Sequence, residues 1–149
     1  MHYDLIAFLA GLLLLIGFIS IVILVLFTIC YWKIFTKAGE EGWKAIVPIY
    51  NVYTMYKIAW ETKWFFITLA LVFVGGFLSG LGFVTLSLPF TFAGGVIGII
   101  FAVQLARAFG QSDGFAVGLI LLSFIFYPIL AFGSAEYKRG NAQMGNDAL

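Results

Sequence analysis

The 43 residues from Trp64 to Ala106, WFFITLALVFVGGFLSGLGFVTLSLPFTFAGGVIGIIFAVQLA, contain no charged side chain. At about 1.5 Å per residue, one helix of that length would reach roughly twice the ~30 Å hydrocarbon thickness of a bilayer. The stretch is therefore expected to fold as two membrane-spanning helices joined by a turn. Thr85-Leu86-Ser87-Leu88-Pro89 gathers hydroxyls and a proline, and marks the expected turn. Spans over about 64–84 and 90–108 follow.

Two further apolar runs flank this one. Leu5 to Trp32 is uncharged for 28 residues, bracketed by Asp4 and Lys33. It lacks the basic start and the short apolar length of a cleaved signal peptide, so it is read as a retained span over about 5–32. Beyond the polar connector Gly110-Gln111-Ser112-Asp113-Gly114, residues 114–135 are again uncharged. A fourth span over about 114–134 is expected there, kinked or ended by Pro128. The composition agrees: 63% of residues are hydrophobic and 10% charged, against about 45–50% and 25% in soluble domains. The expected architecture is an all-α integral membrane protein, a four-helix bundle in a single domain over 1–137, with a polar tail over 138–149.

The same composition excludes other classes. A formal net charge of +1 leaves no basic footprint for nucleic acid. A single cysteine, Cys30, forms no internal disulfide, and with only His2 beside it a metal site is not expected. No cofactor is expected.

Residues 38–62, AGEEGWKAIVPIYNVYTMYKIAWET, differ in character. Only 12 residues separate Lys44 from Lys57, too few to cross a bilayer. Lys44, Asn51, Thr54, Lys57 and Glu61 approximate one helical stripe, apolar and tyrosine residues fill the other face, and Trp43 and Trp60 flank the segment. This pattern fits an amphipathic interfacial helix over about 43–60, or a re-entrant segment dipping part way into the membrane. Pro48 bends it or divides it.

Lys33, Lys37, Lys44, Lys57, Lys63 and Arg107 fall on one side of a four-span arrangement, and Lys138 and Arg139 on the other. Six against two places residues 33–63 in the cytoplasm and both termini outside. The Lys138-Arg139 pair argues the other way, and an extra span would reconcile it.

Glycines recur four apart at Gly76 and Gly80, Gly94 and Gly98, and Gly114 and Gly118. Small residues at this spacing let helices approach closely, within the bundle or between copies. Gln104 and Arg107 lie one turn apart at the end of the third span, as an interface anchor or an anion contact. Catalytic signals are missing: there is no HExxH, the aspartates lie outside the spans, and Ser79, Ser87 and Ser123 have no lysine or histidine nearby in sequence.

The run Lys37-Ala38-Gly39-Glu40-Glu41-Gly42-Trp43-Lys44-Ala45-Ile46-Val47-Pro48-Ile49-Tyr50-Asn51 resembles a family of small bacterial multi-span membrane proteins of unknown function, with a KAGxxGWxAxxPIYN motif. Ala106-Arg107-Ala108-Phe109-Gly110 and Phe126-Tyr127-Pro128-Ile129-Leu130-Ala131-Phe132-Gly133 resemble two softer elements of that family. The resemblance implies a bacterial inner-membrane location. Members often carry a signal peptidase I label, which this chain does not support: it has no room for a soluble catalytic domain and no Ser-x-Met-x-Pro stretch.

The expected function is therefore non-enzymatic. The protein would bind membrane lipids, another membrane protein or a second copy of itself, as an accessory, immunity-type or lipid-interacting factor. A small oligomeric transporter or channel is the alternative. The expected binding residues are Trp43, Lys44, Tyr50, Asn51, Tyr53, Lys57 and Arg107, on the cytoplasmic side, with plain membrane anchoring as the competing reading of the same residues.

Overall fold

The computed structural model describes residues 2–139, with side chains from Asp4 onward. Its elements are α1 (His2–Lys37), a 3-10 turn (Gly42–Ala45), α2 (Pro48–Ala59), α3 (Thr62–Gly80), α4 (Val84–Ala108), α5 (Asp113–Leu121) and α6 (Ser123–Phe132). The described residues are all-helical, without strands. Three helices are long and apolar enough to cross a membrane: α1, α3 and α4.

The three long helices end in the same way. After α3, Gly82 adopts φ +86°, its N–H reaches the Ser79 carbonyl at 3.0 Å, and the Phe83 N–H reaches Leu78 at 2.9 Å. Gly39 (φ +79°) closes α1 through Gly39 to Thr36 and Glu40 to Phe35, and Gly110 (φ +65°) closes α4 through Gly110 to Arg107 and Gln111 to Ala106. This is the Schellman arrangement, which needs a left-handed residue just past the helix and satisfies carbonyls that would otherwise be orphaned.

The turn between the second and third spans thus lies at Leu81-Gly82-Phe83, not at 85–89 as the hydroxyls and proline suggested. Pro89 is the sixth residue of α4, and Ser87 Oγ donates to the Val84 carbonyl at 2.7 Å inside that helix. Glycine at a left-handed position outweighed proline as the stop signal: Pro89 lies past the first turn and is accommodated inside α4 at the loss of one backbone bond.

The fourth span expected over 114–134 is not one helix. The chain breaks at Leu122 (φ −131°, ψ 49°), six residues before Pro128, which stays inside α6. The Phe115 and Phe126 rings meet edge to face at 5.0 Å, and a Cβ added at Gly118 would run into the Phe126 ring. Eleven residues of straight helix would hold those rings about 16 Å apart, so α5 and α6 form a folded-back hairpin. Both ends lie together. The Arg107 guanidinium at the end of α4 pairs with Asp113 at the start of α5. Lys37 at the end of α1 donates to the carbonyls of Leu130 and Gly133, at the end of α6. The Lys138 N–H then reaches the Ala108 carbonyl at 2.8 Å. The expected tail from 138 begins as this packed segment; residues 140–149 lie outside the described residues.

The core sits at this same end. Cys30, Ile34 and Phe35 of α1 pack with Met55, Ile58 and Ala59 of α2, Leu105 and Ala106 of α4, and Leu119 and Leu130 of the hairpin. Gly75 of α3 meets Phe90 of α4, but a Cβ added at Gly76, Gly80, Gly94 or Gly98 would meet nothing within 4 Å. Of the helix-interior glycines, Gly75 and Gly118 make close approach within the chain and those four do not, and Gly114 has only the Ser112 hydroxyl within range, at 3.7 Å.

Gly118→Ala is expected to lower stability by about 1–3 kcal/mol, the usual cost of overpacking, because Phe126 must leave Phe115. Gly98→Ala, in open space, should not lower the melting temperature. Thermal melts of the two variants in detergent check this; equal melting temperatures would refute the hairpin packing.

Candidate functional site

The end of α1 sets up the site. The Schellman turn at Gly39 carries Glu40 back toward the following 3-10 turn, where its carboxylate, with the side chain 15% exposed, takes two cations: Lys44 Nζ at 2.7 Å on Oε2 and Lys57 Nζ at 2.6 Å on Oε1. Lys44 also lies 3.6 Å from Glu41 Oε2, which accepts Trp43 Nε1–H at 3.0 Å. Burial alone would push the Glu40 carboxyl up, but the hydrogen bonds from Lys44 and Lys57 outweigh it and hold the group below the ordinary carboxylate value. The hydrogen bond to Glu40 holds the Lys44 ammonium above its ordinary value. One carboxylate thus clamps the 3-10 turn to the last turn of α2.

Pro48 occupies the first position of α2, where its missing N–H costs nothing. Asn51 Nδ2 donates to the Ala45 carbonyl at 3.2 Å, closing the link between the 3-10 turn and α2. The start of α2 lies beside the middle of α1. A groove of about 530 Å³ has Ser20, Leu24, Thr28 and Tyr31 on one wall and Pro48 and Asn51 on the other. The far end of α2 instead meets the C-terminal segment, where the Tyr137 hydroxyl donates to the Ile58 carbonyl at 3.1 Å. Burial pushes the Tyr137 phenol up, so it keeps the proton it donates.

The aromatic residues form a ladder. The Trp43 and Tyr50 rings stack at 5.8 Å and 6°, and Tyr50 and Tyr53 at 5.7 Å and 29°. Tyr53 then meets Phe65 of α3 edge-on at 5.5 Å. Lys44 Nζ lies 6.0 Å from the Tyr50 ring centre, at the limit of a cation–π contact. Trp43 is 49% and Tyr50 41% exposed.

Of the residues expected from the sequence, Trp43, Lys44, Tyr50, Asn51, Tyr53 and Lys57 come together. Arg107 does not join them. Its Nε and Nη2 bind Asp113 at 3.1 and 3.2 Å, and it lines a separate cleft with Ala59, Gln104, Lys138 and Arg139. Three residues that organise this end were not singled out. Glu40 was legible, since it stands four residues before Lys44. Lys37 and Tyr137 were not, because their partners lie 93, 96 and 79 residues away.

Residues 43–140 match a family of unknown function, DUF5684, and the chain belongs to it. The match begins at the 3-10 turn and covers α2 to α6, the elements that build this end of the molecule. No curated protein and no solved structure matches the chain.

Glu40→Gln should lower stability by about 1–3 kcal/mol, as for a charged hydrogen-bond acceptor lost from a half-buried site. Lys57→Gln, whose side chain is 51% exposed, should cost much less. Because the Glu40 carboxyl is depressed, its contribution is complete above the ordinary carboxylate value and is lost as pH falls through the lower folded value. Melting temperatures across that acid range should therefore fall more steeply for the wild type than for Glu40→Gln; parallel curves would remove Glu40 from its role.

Proposed function

We propose that this member of DUF5684 is a bacterial inner-membrane protein that acts by binding at its cytoplasmic face, without catalysis. In this reading α1, α3 and α4 span the membrane, and the α5–α6 hairpin enters and leaves on one side. Of the two arrangements open for residues 43–60, the re-entrant one is the better supported. The start of α2 flanks residues 20–31 of α1, roughly 9–25 Å down the helix from Lys37 at 1.5 Å per residue. Its end lies with the chain ends, through Lys57 and Ile58.

Orientation follows from charge. The chain has eight lysines and arginines, and with a re-entrant hairpin all of them fall at one end. Lys138 and Arg139 join the other six through the Ala108 contact and the shared cleft. The opposite turn, Leu81-Gly82-Phe83, has no charge. The positive-inside rule then puts the whole basic end in the cytoplasm, and the six-against-two conflict disappears without an extra span.

The observation that carries a binding role is the Trp43–Tyr50–Tyr53 ladder, exposed at Trp43 and Tyr50, on a clamped base. Plain anchoring needs amphipathic rings at the headgroup layer, but not rings stacked on one another and held by a carboxylate bridge. Stacked rigid rings lose little entropy on binding, which favours a membrane partner or a lipid. Lys44 and Lys57 serve the base of the ladder, since both are engaged by Glu40.

One observation favours the transporter or channel alternative: broken helices at membrane depth occur where protein or a water-filled cavity covers the backbone. Polar span residues do not converge, however. Thr91 donates to the Ser87 carbonyl of its own helix, Ser123 donates across the α5–α6 break to the Leu119 carbonyl, and Gln104 lines a different cleft from Thr91. A pore needs several polar groups facing one cavity.

The double variant Trp43→Ala, Tyr50→Ala should fold, with a melting temperature close to the wild type, and lose most of the protein or lipid that crosslinks and copurifies from native membranes. Undiminished recovery would leave anchoring as the role of the ladder. Solute or ion flux through reconstituted wild-type protein would instead favour the alternative.

A further inference from the structure

A second feature of the basic end stands apart from the ladder. Between the ends of α2 and α4 and the returning C-terminal segment lies a cleft of about 400 Å³, lined by Ala59, Gln104, Arg107, Ala108, Lys138 and Arg139. Three of the six are cations, and none is a carboxylate. This differs from the Glu40 cluster, where every cation already has an acidic partner. Among the described residues, Lys138 and Arg139 form no ion pair, and the Gln104 amide makes no side-chain hydrogen bond. Arg107 gives one edge of its guanidinium to Asp113 and keeps the N–H groups of Nη1, since only Nε and Nη2 are engaged.

The cleft is also built, not incidental. The Lys138 N–H is pinned to Ala108 at 2.8 Å, and Tyr137 beside it is fixed twice, by its hydroxyl on Ile58 and by its ring on Phe109 at 5.4 Å. The Lys138 side chain passes over Gly110, where any Cβ would collide with its Cδ, Cε and Nζ. Glycine there both ends α4 and clears the path of Lys138. The chain thus returns some thirty residues after Arg107 to hold two uncompensated cations beside it, at the helix ends.

We propose that this cleft binds a phosphate-type anion, with Lys138 and Arg139 supplying charge and Gln104 and Arg107 supplying directed N–H donors. Two sources share that chemistry: the headgroup of an anionic phospholipid in the adjoining leaflet, and soluble phosphate or a phosphate ester. Guanidinium and ammonium groups side by side suit phosphate oxygens, Arg by its fork and Lys as a point charge.

The test uses the full chain in nanodiscs of phosphatidylcholine with a minor share of fluorescently labelled phosphatidylglycerol, read by energy transfer from the protein's tryptophans and by native mass spectrometry of retained lipid. Lys138→Gln, Arg139→Gln is compared with Lys33→Gln, Lys63→Gln, which removes the same charge outside the cleft. A cation in direct contact with the phosphate is worth at least roughly a fivefold change in affinity, and one held only near the surface or shared with a carboxylate, as Lys63 is with Glu61, is worth less. The cleft double variant should therefore bind roughly 25-fold more weakly, and the control less than half as much affected on a logarithmic scale. The single variant Arg139→Gln, with about a fivefold loss, keeps the test open if the double variant folds poorly. Inorganic phosphate is the second arm. Cleft-dependent lipid binding that millimolar phosphate leaves intact assigns the site to a headgroup. Cleft-dependent binding that phosphate displaces assigns it to a soluble anion. Equal losses in the cleft and control variants, or no preference for phosphatidylglycerol and no phosphate binding, would overturn the site. The Trp43→Ala, Tyr50→Ala variant should bind the anion like the wild type, so failure here is separable from failure of the ladder.

Discussion

The ammonium of Lys37 donates to two carbonyls, Leu130 at 2.9 Å and Gly133 at 2.7 Å. Those oxygens close α6, where the last carbonyls of a helix have no partner within it and carry the negative end of its dipole. In a hydrocarbon setting an unsatisfied backbone carbonyl costs several kcal/mol. A cation answers both the hydrogen-bond and the charge requirement. Since Lys37 is the last residue of α1, the end of α6 has to lie beside the end of α1, and the hairpin, the returning tail and the gathering of basic residues all follow.

The asymmetry of the molecule has the same origin. The buried core joins α1, α2, α4, α5 and α6 at the basic end, whereas residues 4–25 of α1 are exposed throughout. Long apolar helices need no protein partner in lipid, since lipid tails are as apolar as leucine. Irregular backbone does need one: the 3-10 turn, the start of α2 and the break at Leu122 carry groups that lipid will not satisfy. Packing has therefore concentrated around the irregular pieces. The most stable part of the chain is expected to be the part that presents the ladder and the basic cleft, which suits surfaces whose geometry must persist.

Much of the helical content was legible because membrane spans are written as length and absence of charge. The 43-residue run between Trp64 and Ala106 required a hairpin, and Lys33 and Arg107 stand within a turn of the helix ends. The turn itself was misplaced because Pro89 and Gly82 both signal a break, and only backbone geometry distinguishes a proline accommodated inside a helix from a required left-handed glycine. The folded-back hairpin was hidden more deeply. Residues 114–134 have the right length and composition for one span, and nothing in local propensity marks Leu122. The break depends on Phe126 lying against Gly118 and on Lys37 holding the far end, contacts no helical periodicity reports. The ladder was visible as spaced aromatics. The cleft was visible only in part, as Gln104 and Arg107 one turn apart, because Lys138 and Arg139 come to it through tertiary folding.

The account turns on whether residues 113–133 return to the side from which they start. Single cysteines at Glu41, Ser112, Ser134 and Leu81, all exposed positions, introduced into a Cys30→Ala background, can be labelled with a membrane-impermeant maleimide in intact cells and in inverted membrane vesicles. The expected result is that Glu41→Cys, Ser112→Cys and Ser134→Cys react only in inverted vesicles, while Leu81→Cys reacts only in intact cells. Reaction of Ser134→Cys together with Leu81→Cys, opposite to Ser112→Cys, would mean that the last segment crosses the membrane, and would contradict the re-entrant hairpin and the single basic face built on it.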